Sequence, residues 1–162
     1  MIDYKKYNLE SFKSYTESIL NKKYKGKFSY SDIKEKIEGI LKGETSKLSA
    51  KSFYEVILAL DEHENLDNLC KNFFKGHPAF KLTSLENHKN KIQTLFKPMI
   101  NSKRELSGAS GIKETRLGEV FDERYNEMYS YEVYGLAIAG GLKPSQLFDY
   151  FYGDGPRPLV GV

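Results

Sequence analysis

The chain has 162 residues, 40% of them hydrophobic and 29% charged, with a net charge of +3. That length suits one ordinary domain or two very small ones, and that composition excludes a disordered chain. A single cysteine, Cys70, excludes an internal disulfide, and no run reaches the roughly 18 apolar residues of a membrane helix.

In chain order the periodicity is helical almost throughout. The N-terminus, "MIDYKKYNLE", carries charges where a signal peptide has an apolar core, so the expected location is cytoplasmic. Leu9, Phe12, Tyr15, Ile19 and Leu20 recur at spacings of three and four, one face of an amphipathic helix. The basic run Lys22, Lys23, Lys25 and Lys27 reads as a solvated loop. A second helix follows Ser29 or Ser31, with Ile33, Ile37, Ile40 and Leu41 as its stripe and Gly43 as its stop. Ser49 is placed to cap a third, lined by Phe53, Val56, Ile57 and Leu60. "NLDNLCKNFF" continues as a short helix to Gly76, with Cys70 as a buried structural thiol.

"KGHPAFKLTS" interrupts this pattern, and residues 77–88 read as a linker between a helical domain, 1–76, and a second one, 89–153. In the second domain Ile92, Leu95, Phe96, Met99 and Ile100 mark one amphipathic segment, which Pro98 should end or kink. Ser102 can cap "KRELSGAS", and Lys113 or Glu114 opens "KETRLGEVF". "YSYEVYGLAIAGG" and "KPSQLFDYFYG" are two further helices, and the tail 154–162, with two prolines and two glycines, is irregular. The fold class is all-α.

The stretch "LSGASGIKETRLGEV" carries the functional reading. A leucine and a small residue, a glycine four positions later, then Ile112, Leu117 and Val120 at i, i+5 and i+8 are what a sharp corner between two short helices needs. The order resembles the lambda-repressor-like (Cro/cI type) helix-turn-helix family over residues 90–152, with Ser107 in place of the usual alanine. The resemblance implies a five-helix domain that binds double-stranded DNA as a transcriptional regulator of bacterial, phage or mobile-element type. Lys113, Glu114, Thr115 and Arg116 would then open the recognition helix, with Arg116 reading guanine, while Lys103 and Arg104 neutralise phosphates. Charge patterning agrees in part. From His88 to Arg116 seven bases face two acids, whereas Leu117 to Asp154 holds seven acids and two bases.

Two readings of the first half stay open. "LSAKSFYEVILALDEHENLDNL" can be laid over "MYSYEVYGLAIAGGLKPSQLFDYF" with Leu60 on Leu142 and Ala59 near Gly141, making the first half a degenerate copy whose recognition helix is "FSYSDIKEKIEGILKGE". Otherwise it is a dimerisation or partner-binding domain.

Other chemistry finds little support. His63, His77 and His88 have no cysteine arrangement beside them and read as surface or loop residues, so no metal site is expected. Ser107 and Ser110 lack a nearby histidine, no phosphate loop is present, and neither an enzyme nor a cofactor is expected. The tyrosines that crowd the C-terminal third, Tyr129, Tyr131, Tyr134, Tyr150 and Tyr152 with Tyr125, read as an association surface, that of a homodimer. The alternative function is an adaptor, inhibitor or assembly component that uses the same fold and the tyrosine face to bind another protein.

Overall fold

The computed structural model describes residues 6–82, 102–122 and 127–159. The Ile92–Ile100 stripe, His88, Tyr125, the Ser102 side chain and the tail beyond Leu159 lie outside the described residues or side chains. Eight α-helices and one 3-10 turn are present among the described residues: α1 (Leu9–Tyr24), α2 (Tyr30–Leu41), α3 (Ala50–Ala59), the turn His63–Asn65, α4 (Leu66–Phe73), α5 (Ser102–Ser110), α6 (Glu114–Phe121), α7 (Ser130–Ala139) and α8 (Pro144–Tyr152). The only extended pairings among them are two isolated bridges, Asn8 with Lys47 and Ser49 with Tyr129. The chain is all-α.

Local chemistry starts several of these helices. The Asn8 side chain accepts from the Ser11 amide at 2.9 Å, and the Ser49 hydroxyl accepts from the Ser52 amide at 3.2 Å. Pro144 opens α8, where a missing amide costs nothing, and the Gln146 side chain reaches back to the Lys143 amide at 2.9 Å. Asp67 of α4 completes that N-terminus, its two oxygens accepting from the Ser145 amide and hydroxyl at 2.8 Å. A cap for one half is thus supplied by the other.

The halves also share one core. Phe53 packs on Phe148 with ring centres 5.1 Å apart, and Phe74 stacks on Tyr134 at 4.6 Å. Among the described residues the expected division into domains at residues 76 and 89 does not separate two hydrophobic cores.

Some main-chain hydrogen bonds recur in the two halves at a spacing of 80 residues. The Ala50 amide donates to the Met128 carbonyl at 2.8 Å, and the Ser130 amide donates to the Leu48 carbonyl at 3.0 Å. These two bonds are the reciprocal pair of the antiparallel Ser49–Tyr129 bridge. The 80-residue shift carries the end of α3 onto the end of α7: Glu62 N to Ile57 O answers to Leu142 N to Ala137 O, and Asp61 N to Leu58 O answers to Gly141 N to Ile138 O. Asp61 and Gly141 both have positive φ, 53° and 70°. Both halves read helix, left-handed glycine (Gly26 or Gly111), helix, bridge, helix, left-handed residue, short helix. The register of these bonds corrects the expected overlay, since Leu60 falls on Gly140 and not on Leu142. Packing of the leading helices has diverged: α5 lies on α7, whereas α2 lies on α3.

The expected linker is built into the fold over residues 77–82. The Phe80 amide donates to the Ala109 carbonyl at 2.8 Å and the Leu82 amide to the Ala139 carbonyl at 2.9 Å. Those carbonyls are the orphan acceptors at the ends of α5 and α7.

Candidate nucleic-acid interface

Gly111 sits between α5 and α6 with φ of 79°, a backbone conformation that favours glycine. The bend lets Ile112, Leu117 and Val120 all face the core, where each is buried. The corner is therefore where the spacing of "LSGASGI" puts it. Its close contact is elsewhere. Space is open around Gly108, whereas a Cβ on Gly135 of α7 would collide with the Ser110 carbonyl oxygen. The tight crossing is α5 on α7, not α5 on α6 through Ser107.

Around this corner Lys103, Arg104, Lys113, Glu114 and Thr115 are exposed. Lys113 occupies the position before α6, and no side chain caps that helix. A shallow groove of about 480 Å³ runs beside it, bordered by Pro78, Gly108, Gly111 and Lys113–Thr115. Lys103 reaches across the corner, its ammonium 5.7 Å from the centre of the Phe121 ring.

Arg116 departs from the role expected of it. Its Nε donates to Glu132 Oε2 at 2.9 Å, and its Nη2 donates to Glu132 Oε1 at 3.1 Å and to the Glu127 carbonyl at 2.9 Å. Nη1 donates to Glu119 at 3.0 Å, and the guanidinium lies 5.0 Å from the Tyr129 ring centre. These bonds, to Glu132 first, push its already high pKa higher. Glu132 is 2% exposed and also accepts the Tyr129 amide at 3.0 Å, so it begins α7 and holds Arg116 in one step. Four of its five N–H groups are so engaged, which leaves little to offer a base edge and counts against its expected role as the guanine reader.

The tyrosine surface is corrected in the same way. Tyr131 is 0% exposed, Tyr134 packs against Phe74 and His77, and Tyr129 stacks on Tyr131 at 5.6 Å. Tyr152 is half-buried near Tyr54, and of the five only Tyr150 is exposed. Tyr131 is a core ring, and Tyr129, Tyr134 and Tyr152 are partly buried against that core.

His77 lies in the loop after α4, as expected, but its ring is packed and hydrogen-bonded. Its Nε2–H donates to the Tyr131 carbonyl at 2.9 Å, its Nδ1 accepts from the Ala79 amide at 3.1 Å, and the ring stacks on Tyr7. Burial lowers its pKa to about 4, so it is neutral and structural at pH 7. His63 bonds Asp149 at 2.6 Å, and the Tyr54 hydroxyl donates to the same oxygen at 2.6 Å. Both bonds cross between the halves, and nothing in the sequence pattern had linked these residues. Burial pushes the Cys70 thiol well up, as suits a packed residue.

Among the described residues no His, Cys, Asp or Glu group is placed to hold a metal, and no helix is long and apolar enough to cross a membrane. No protein-family model, curated protein or solved structure matches the chain.

Proposed function

We propose that the chain is a helix-turn-helix protein that binds double-stranded DNA, as a transcriptional regulator of bacterial, phage or mobile-element type does. The observation that carries this reading is the Gly111 corner. It seats α6 through Leu117 and Val120 while leaving Lys113, Glu114 and Thr115 exposed at an end with no side-chain cap. Free amides and the positive end of the helix dipole suit a phosphate there, and Lys103 and Arg104 add charge on α5. Lys113 and Thr115 take over base contact from Arg116, whose role becomes the placement of α6 against α7. Tyr150, the exposed one of the five tyrosines, is left for contact with a second copy.

The test is duplex binding by fluorescence anisotropy over a salt series. The K103A/R104A/K113A variant is expected to bind more weakly and with a log–log salt slope shallower by about 2.7, three contacts at about 0.9 each. A wild-type chain with no affinity for duplex, or a variant with an unchanged slope, overturns the reading.

One feature favours a protein partner instead. The outer face of α6 carries Glu114, Glu119 and Asp122 beside Phe121, which is 51% exposed. Acids repel phosphate, and an exposed ring among them suits an adaptor or inhibitor surface.

A further inference from the structure

A second corner lies between α1 and α2, although at the 80-residue spacing Gly26 falls on Leu106 and not on Gly111. Each corner has a left-handed glycine between two helices that lead into the bridge strand, Gly26 at φ 78° and Gly111 at φ 79°. From Lys22 to Lys42 this region holds seven lysines against three acids. Lys23 is committed to the fold, bonded to the Leu60 and Asp61 carbonyls and to Glu62. Lys22, Lys25, Lys27, Lys34 and Lys36 are exposed, and among the described residues none of the five is ion-paired. In their midst Phe28 is 107% exposed.

We infer that this corner is a second nucleic-acid contact, in which Lys22, Lys25 and Lys27 lie along duplex phosphates while Phe28 packs against sugar or base. It rests on the duplex-binding reading and extends it: one chain meets its duplex with both corners. The charge selects a polyanion. A lipid surface is the poorer fit, because membrane-bound helices present an apolar face. Here the apolar faces of α1 and α2, Phe12 and Leu20 with Ile37 and Leu41, are turned into the core. One ring is left to insert.

The two kinds of contact have different signatures. Lysines on phosphates release counterions, whereas an apolar ring does not. The full-length chain is titrated into a labelled duplex over a salt series, alongside K22A/K25A/K27A, F28A and K103A/R104A/K113A. The first variant is expected to lose about tenfold or more in affinity, with a slope shallower by about 2.7. F28A is expected to lose roughly tenfold with the slope unchanged, within the range for one aromatic contact. Wild-type affinity and slope in K22A/K25A/K27A, while K103A/R104A/K113A is impaired, would overturn this inference and leave the primary reading standing. The reverse pattern would overturn the primary reading and keep a nucleic-acid site at the first corner. Circular dichroism checks that each variant is folded. Sedimentation with phosphatidylserine vesicles, lost in F28A while duplex binding is not, would reassign the corner to a lipid surface and overturn the inference.

Discussion

Arg116 on α6 and the buried Glu132 on α7 form a partly buried ion pair, with Nε 2.9 Å from Oε2 and Nη2 3.1 Å from Oε1. The pair joins the second helix of the corner to the central helix of its half. It also lets one glutamate serve as both ion-pair partner and helix cap. Its energetic meaning is asymmetric: a buried pair adds modest net stability, but removing one partner strands the other charge away from water. Arg116→Ala is therefore expected to destabilise the protein by about 3–5 kcal/mol, read as a lower midpoint in urea. Arg116→Lys should recover only part of this, since one ammonium cannot reproduce the fork. Near-wild-type stability in the alanine variant would return Arg116 to the surface and reopen its role in reading bases.

Two glycines nearby make opposite demands. Gly135 lies where α7 crosses the last turn of α5, and an added Cβ would overlap the Ser110 carbonyl and approach His77 Cε1 at 3.0 Å. Backbone cannot yield as the end of a flexible side chain can. Gly135→Ala is thus expected to cost about 1–3 kcal/mol or more by overpacking. Gly108 is within α5 with open space around its Cβ position. Gly108→Ala is expected to add about 0.5–1 kcal/mol through helix propensity alone. Thermal denaturation of the two variants should displace the midpoint in opposite directions, and displacement in the same direction would refute the crossing.

The helices and the Gly111 corner were legible in the sequence because both are local. Apolar residues three and four apart need only one helix face, and a left-handed turn needs only a glycine between two such faces. What stayed hidden depends on contacts across the fold. Arg116 and Glu132 are 16 residues apart, and no periodicity says that a helix-opening arginine will turn towards the next helix. Tyr131 looked like surface because its neighbours are tyrosines too, yet the crowding reflects a shared core of rings. The likeness of α3 to α7 was visible in outline, but its register lies in main-chain bonds of the turns that end them, Glu62 to Ile57 and Leu142 to Ala137. Matching leucines on α3 and α7 therefore gave an overlay two residues out. His77 was hidden by its neighbours Gly76 and Pro78, which spell a loop while the chain around them is pinned to α5 and α7.

That histidine couples stability to pH. Its native pKa is lowered from 6.5 to about 4, chiefly by burial, with the bond to the Tyr131 carbonyl opposing. Between those two values the unfolded chain holds the proton and the native chain does not. Its contribution is thus fully present above pH 6.5 and is lost as pH falls towards 4, by up to about 1.4 kcal/mol per pH unit. Part of that slope is screened because the ring is incompletely buried. Protonation also removes the acceptor that Nδ1 offers the Ala79 amide, which loosens the 77–82 segment from the ends of α5 and α7. His77→Gln, an uncharged replacement able to donate and accept, is expected to flatten the acid limb of a urea-midpoint profile between pH 6.5 and 4. Near neutrality it should cost about 1–2 kcal/mol from lost ring packing. Parallel acid limbs for the variant and the parent, or a His77 Cε1 proton resonance titrating near pH 6.5, would show a solvated ring and remove this segment's tie to the core.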